Sequence, residues 1–417
     1  MKNISAIKGF NDILSEESRS WQFIEDSCRK VFHSFGFSEI RIPIVEKTEL
    51  FSRSIGDVTD IVEKEMYTFC DKAGSSLTLR PEGTAGVMRA LIEHKLYAIN
   101  SCNKMYYSGP MFRHERPQKG RYRQFHQIGA EFVGVADPMS DAILLIIINR
   151  IFELLELNEP KLHLNSLGCR ECRPLYRKKL ISFLADKSNS LCADCTRRLD
   201  TNPLRVLDCK VPTCIEATQQ APSVLDNLCS DCSEHFQNLQ NYLKAADIEF
   251  SINSRMVRGL DYYTRTTFEV VTGMLGSQSA VAAGGRYDGL VQQLGGPELP
   301  GIGFAMGVER VALLLADKSI TQRPDLFIAM SGDETRATAI MLMSGLQRMG
   351  INVDIDTEGK SLKSQMRKAD KLKARYSIVL GTNELQTGIV NAKRMDDGKE
   401  YPVMITPEAI ALLLEQQ

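Results

Sequence analysis

The sequence predicts an α+β protein built from separable parts, and three observations carry that expectation. Neighbouring strand patterns linked by hairpin-like connections lie in the first third of the chain. Eight of the eleven cysteines crowd between Cys169 and Cys232. After Pro324, strands and helices alternate, the pattern of a small α/β domain with a largely parallel sheet. The 417 residues suggest two to four domains at about 100–200 residues each. With 43% hydrophobic and 25% charged residues, the composition excludes global disorder. The apolar run from Ile143 to Ile148 is far short of the ~18 residues of a membrane span. The first residues lack the apolar core of a signal peptide and soon reach Lys8 and Asp12, so a cytoplasmic protein without membrane contact is expected. Lys and Arg number 51 against 52 Asp and Glu. Any nucleic-acid contact must therefore come from local patches.

Residues 17–35 predict the first helix, with Trp21, Phe23, Ile24, Cys28, Val31 and Phe32 at three- and four-residue spacing and Gly36 as its stop. An extended segment, 40–45, follows. Residues 77–80 read as a strand that runs through Pro81 and Gly83 into a helix capped by Thr84. Two longer strands, 104–113 and 122–133, are joined by the basic loop 114–121, too long and too charged for a simple turn. An apolar helix covers 141–157. The cysteine-dense stretch then interrupts until about residue 245. Strand patterning resumes at 266–272, followed by a glycine-rich passage, 273–303, and a helix, 308–315. Strands at 326–330, 351–355 and 376–380 alternate with helices at the end. Cys28, Cys70 and Cys102 stand alone and read as buried small hydrophobes.

Side chains alternate along a strand, so Phe125, Gln127, Gly129, Glu131 and Val133 share one face, and Ile128, Ala130 and Phe132 share a core face. On the first face Gly129 leaves an open hollow between an amide and a carboxylate; the same pattern also suits solvated surface. Arg113, Arg116, Lys119, Arg121 and Arg123 lie beside it, with Arg113 at a strand end that can fix a guanidinium. Thr78, Arg80 and Glu82 share one side of the 77–82 stretch. The segment 258–263, Arg-Gly-Leu-Asp-Tyr-Tyr, offers donors at Arg258 and Tyr263 beside a glycine that admits close approach, while adjacent tyrosines equally suit packing. The glycine clusters 284–289 and 301–307 match neither phosphate-loop pattern, so a nucleotide would be gripped by arginines.

Three C-x-x-C pairs, Cys169/Cys172, Cys192/Cys195 and Cys229/Cys232, are joined by Cys209 and Cys214. In a reducing compartment they read as thiolate metal ligands, and residues 169–195 fit a zinc-ribbon spacing. Near the C-terminus Lys360, Lys363, Arg367, Lys368, Lys371, Lys373 and Arg375 face only Asp370. Leu362, Met366, Ala369 and Leu372 form the packing side of that helix, leaving nucleic-acid binding and a solvated basic face both open.

Taken together, these segments closely resemble the histidyl-tRNA synthetase family of class II aminoacyl-tRNA synthetases, over essentially the whole chain. Residues 36–43, 111–127 and 303–310 resemble the three class II motifs. Residues 78–84, Thr-Leu-Arg-Pro-Glu-Gly-Thr, and 258–263 resemble the histidine-specific signatures. The resemblance implies a class II catalytic domain over 1–165 and 246–322, with an antiparallel sheet and flanking helices. It also implies a helical, cysteine-rich insertion over 166–245 that leans on the tRNA acceptor arm, and an anticodon-binding α/β domain over 325–417. It implies an enzyme, a histidine--tRNA ligase, that uses ATP with Mg2+ to activate L-histidine as the adenylate, charges tRNA(His), and works as a homodimer. By resemblance, Arg113 and Arg258 hold the α-phosphate and carboxylate, while Arg310, helped by Arg121, covers the adenine and γ-phosphate. Glu82 and Gln127 would hold the α-amino group, with Thr84 close by. Glu131 and Tyr263 would bond the imidazole nitrogens, with Tyr262 lining the pocket. Lys360, Lys363, Arg367 and Lys371 would meet tRNA. The eight cysteines are no general requirement of the family, and a structural zinc would stiffen so small an insertion. Regulatory subunits of ATP phosphoribosyltransferase share the fold, but typically lose part of the signatures and the anticodon domain, all present here. A plain RNA-binding or zinc module would leave the arginine set superfluous.

Overall fold

The computed structural model describes residues 3–56, 59, 61–157, 160–257, 260–275, 280–316 and 323–416. The chain divides into two compact units, Met1–Ser319 and Ile320–Gln417.

An eight-stranded sheet forms the first unit. Its strands run in the spatial order Ser38–Glu39, Asn103–Phe112, Gln124–Val133, Gly301–Gly307, Ala280–Arg286, Thr264–Val271, Lys161–Ser166 and Phe250–Ile252. Neighbours are antiparallel except at the two edges, where short strands pair in parallel. The register aligns Tyr107 with Gly129 and Met105 with Glu131, and on the other side pairs Glu131 with Gly303. The helix Ser15–Ser34 buries Ile24, Cys28, Val31 and Phe32. Phe32 stacks on Tyr106 at 4.7 Å between ring centroids, so alternation turns Tyr107 to the opposite face.

Several expected elements differ. Residues 40–45 do not make one strand. Only Ser38–Glu39 and Val45–Lys47 pair, and they join different sheets, with Pro43 and its missing donor between them. The apolar helix starts at Pro138, not 141, because the Asp137 side chain accepts the Met139 N–H at 2.8 Å and proline opens the first turn. Thr84 is the first helical residue of Thr84–Glu93 rather than its cap. Glu82 takes that role, as shown below. The glycine-rich passage holds two central strands; a Cβ at Gly284 would lie 2.1 Å from the Gly303 carbonyl oxygen, closer than any side chain tolerates. Cys28 is buried as expected, but Cys70 and Cys102 are exposed. Cys70 ends the exposed strand Tyr67–Cys70 and Cys102 lies in the short loop before Asn103.

The insertion is helical, with helices Cys172–Ala185, Ala193–Thr201 and Pro212–Ala217 around a small core of Tyr176, Leu180, Leu184, Val206, Leu207 and Val224. Its last helix, Ser230–Ala245, packs instead on Pro138–Leu154.

The second unit is a five-stranded sheet in the order Val353–Ile355, Leu326–Met330, Tyr376–Leu380, Ile389–Arg394, Glu400–Met404. The first three are parallel, as expected, and the last two add an antiparallel hairpin that the sequence reading did not resolve. Helix Leu362–Lys371 packs through Ala369 and Gln365 rather than Leu362, which is 38% exposed. Gln365 bonds both backbone groups of Met330, a polar anchor that hydrophobic periodicity misses.

Candidate active site

A cleft of about 340 Å3 lies over the face of the large sheet that carries Tyr107. Its walls bring together Glu82, Thr84, Arg113, Arg121, Gln127, Tyr262, Tyr263 and Arg310, residues far apart in sequence. Arg258 lies outside the described residues.

At one end three guanidinium groups converge from separate elements. Arg113 closes the Asn103–Phe112 strand, donates from Nε to the Pro81 carbonyl at 2.9 Å, and lies 5.2 Å over the Phe125 ring. Arg121, from the basic loop, pairs with the buried Glu115 carboxylate. Arg310 opens toward them from helix Val308–Leu314, held by bonds to the Gly120 carbonyl at 3.2 Å and the Ala280 carbonyl at 2.5 Å. Burial, and then the neighbouring Arg121 and Arg113 charges, draw Arg310 below the usual guanidinium range. Cations brought together against their own repulsion and desolvation form a site prepared for a polyanion. Glu309 steadies this end by accepting the His126 backbone N–H at 2.8 Å.

The other end is acidic and phenolic. Glu82 is buried, and its two oxygens accept the N–H groups of Ala85 and Thr84 at 2.8 and 2.7 Å. A carboxylate thus caps Thr84–Glu93 where the helix dipole favours negative charge. That frees the Thr84 hydroxyl to donate to Glu131 at 2.7 Å. Burial raises Glu82 above the usual carboxylate range, opposed by those backbone bonds and by the Arg113 charge. The Gln127 side-chain oxygen is buried with no hydrogen-bond partner among the described residues. An acceptor left so is costly unless a donor joins it.

Glu131 sits at the floor. It is fully buried, and its oxygens receive the Thr84 and Tyr287 hydroxyls. A Cβ at Gly303 would fall 1.8 Å from its Oε2, so the carboxylate occupies the space of an absent side chain. Gly303 itself lines the cleft, while Glu131 is one layer beneath the walls. Desolvation pushes its pKa up to about 8. The open hollow expected over Gly129 is filled: a Cβ there would lie 2.4 Å from the Tyr107 hydroxyl. Alternation within one strand could not reveal a ring contributed by the neighbouring strand.

Tyr107 and Tyr287 were the residues sequence reasoning missed. Tyr287 belongs to the 284–289 cluster, and its neighbour Arg286 is no ligand clamp. Arg286 is wholly buried, and binds Asp141 at 2.6 Å and the Ser140 hydroxyl at 2.8 Å. Arg80 likewise ties carbonyls of Ile42 and Pro110, both at 2.8 Å, rather than facing the cleft. Tyr262 and Tyr263 are buried with ring centroids 4.8 Å apart, and both reach the cleft, so packing and site roles coexist.

The basic residues Lys360, Lys363, Arg367 and Lys371 are exposed. Lys368 turns inward, its ammonium 5.6 Å over the Phe327 ring. The eight cysteines form two sets, Cys169/Cys172/Cys229/Cys232 and Cys192/Cys195/Cys209/Cys214. The serial ribbon expected over 169–195 is therefore corrected: Cys169/Cys172 meet Cys229/Cys232, because the chain returns to the sheet at that point and closes the insertion on itself.

An antiparallel sheet floored with glycines, carrying arginines on its motif strand, loop and following helix, defines a class II aminoacyl-tRNA synthetase. The family model for histidyl-tRNA synthetase matches residues 9–311, and the anticodon binding domain model matches 325–416. The histidine--tRNA ligase of Trichlorobacter lovleyi is 67% identical over 98% of both chains. That of Geobacter sulfurreducens is 62% identical over 98% of this chain and 99% of its own. The crystal structure of apo histidyl-tRNA synthetase from S. aureus superposes with a TM-score of 0.80 at 35% identity, covering 99% of both chains. The chain belongs to the histidyl-tRNA synthetase family and is an aminoacyl-tRNA ligase for histidine.

Proposed function

We propose that the cleft activates histidine by opposing an arginine end to an acidic one, with each residue in the role that its signature implies. The observation that carries this reading is the convergence of Arg113, Arg121 and Arg310 across from Glu82 and Gln127. A histidine carboxylate oxygen attacks the ATP α-phosphorus, an O–P bond forms, and the bond to the β-phosphate oxygen breaks to release pyrophosphate. Two anions must approach, so fixed positive charge contributes more than acid or base. Arg113 and Arg258 receive the α-phosphate and carboxylate; Arg121 and Arg310 hold the rest of the nucleotide. Glu82 and the unpartnered Gln127 oxygen accept from the substrate ammonium. Glu131 exchanges one hydroxyl partner for an imidazole N–H, and Tyr263 meets the other nitrogen. In the second step the terminal ribose hydroxyl of tRNA attacks the acyl carbon and AMP leaves.

Mg2+ would enter with ATP, held chiefly by phosphate oxygens and water, with the cleft carboxylate Glu269 as the protein oxygen donor, and would offset the phosphate charge. Residues 1–165 and 246–322 serve catalysis, 166–245 the acceptor arm, and 325–417 the anticodon through Lys360, Lys363, Arg367 and Lys371. Partly exposed Val45 and Phe69 on the small three-stranded sheet, with Ile44 just before it, support a homodimer. The substrates place the enzyme in the cytoplasm, and the insertion carries structural zinc.

Histidine-dependent pyrophosphate exchange tests the assignment. Glu82→Gln should raise KM for histidine about tenfold or more with KM for ATP little changed, since a charge-assisted bond to the ammonium is lost. Equal effects on both substrates would remove Glu82 from the amino-acid end.

A further inference from the structure

The cysteine sets carry the strongest inference outside the cleft. All eleven cysteines are free thiols. In each set the four sulfur atoms lie within 4.8 Å of one another. Cys169 Sγ is 3.6 Å from Cys172 Sγ and 3.9 Å from Cys229 Sγ, and Cys192 Sγ is 3.9 Å from Cys209 Sγ. A zinc–sulfur bond of about 2.3 Å in a regular tetrahedron puts sulfurs about 3.8 Å apart. Clusters of several irons need a wider frame.

The surroundings repeat from one set to the other. The backbone N–H of Cys229 points at Cys172 Sγ and that of Cys192 at Cys214 Sγ, both at 3.1 Å. Cys229 and Cys192 each precede a helix, and Cys232 and Cys195 sit in its first turn. Each set has two buried and two half-buried members. Four packed thiols serving only as small hydrophobes would have no reason to share this geometry twice.

We propose that the insertion holds two independent zinc tetrathiolate centres, the first of which closes its base and positions the histidine-recognition loop. This rests on the reading of the cleft and deepens it. The loop of the first centre is bonded directly to the chain that follows Tyr262 and Tyr263. Arg173, next to Cys172, donates to the Tyr263 carbonyl at 2.9 Å. Leu167 N donates to the Arg265 carbonyl at 2.7 Å, and Arg265 N to the Gly168 carbonyl at 2.9 Å. On its other side, helix Ser230–Ala245 packs on Pro138–Leu154, whose Asp141 grips Arg286 beside Tyr287. The first centre therefore clamps two supports of the acidic end; the second stiffens the insertion's own core, in which Cys195 and Cys214 are buried, and its helix Ala193–Thr201 leads to Asn202, which donates to Asp261 at 2.9 Å. Arg173 is a positioning residue in this scheme.

Metal analysis of the purified full-length protein should find two zinc ions per chain. Less than about half an equivalent, or iron in place of zinc, would overturn the proposal. Cys229→Ser should remove one ion and Cys209→Ser the other. Cys172→Ser combined with Cys229→Ser should still remove one, and Cys172→Ser combined with Cys192→Ser both; the reverse pattern would mean serial pairing. If variants fail to fold, the wild-type stoichiometry alone still decides whether two centres exist. In pyrophosphate exchange, Arg173→Ala should raise KM for histidine about tenfold while KM for ATP and zinc content hold. A matching change in both KM values would refute the positioning role. Wild-type exchange activity reports on the cleft itself and is independent of these results.

Discussion

Glu131 concentrates the chemistry of the site in one side chain. Buried under Gly303, with two hydroxyls donating to it, its carboxyl holds a proton to about pH 8. The raised value has a stability consequence whose sign is fixed. The folded chain retains a proton that the unfolded chain releases above 4.5, so stability falls as pH rises from there to about 8 and levels off beyond. Glu131→Gln cannot titrate. Its melting temperature relative to wild type, in the absence of substrate, should therefore improve from about pH 5 to about pH 8.5, and a flat difference would contradict the assigned burial. The same variant should impair histidine use far more than ATP use. The sequence made Glu131 and Gln127 legible as one strand face, since alternation is local. It left out Tyr107 and Tyr287, because the Tyr107 ring reaches Gly129 from the neighbouring strand and the Tyr287 ring, just past strand Ala280–Arg286, lies against Gly301.

At the scale of elements, the paired strands Asn103–Phe112 and Gln124–Val133 and the helix Ser15–Ser34 follow from periodicity to within two residues. The glycine-rich strands were invisible for the same reason that they matter: close backbone packing at Gly284 and Gly303 removed the side chains by which strands are recognised. Helix Leu362–Lys371 was expected as an amphipathic basic helix with every cation on its basic faces, but Lys368 instead turns its ammonium over the Phe327 ring. Exposed Lys363 and Arg367 make an element-scale prediction. Lys363→Glu with Arg367→Glu should lower kcat/KM for tRNA about tenfold at low salt, leave pyrophosphate exchange unchanged, and flatten the salt dependence of tRNA binding. Unchanged tRNA kinetics would return the helix to a solvated face.

For the whole molecule, the terminal α/β unit was legible in the sequence, because the patterning shifts to alternating strands and helices at Pro324, close to where the second unit begins at Ile320. The pairing of cysteines was not legible, because Cys169 and Cys232 meet only after about sixty residues have folded back, and spacing along the chain favoured the nearer partners. The central claim is likewise a matter of convergence: guanidinium groups from a strand end, a loop and a helix act together on two repelling anions. Single-turnover formation of histidyl-adenylate by Arg113→Ala, with histidine affinity measured alongside, tests it most directly. The rate should fall about a hundredfold to a thousandfold while the Kd for histidine stays within about threefold. A rate within about threefold of wild type would contradict the account.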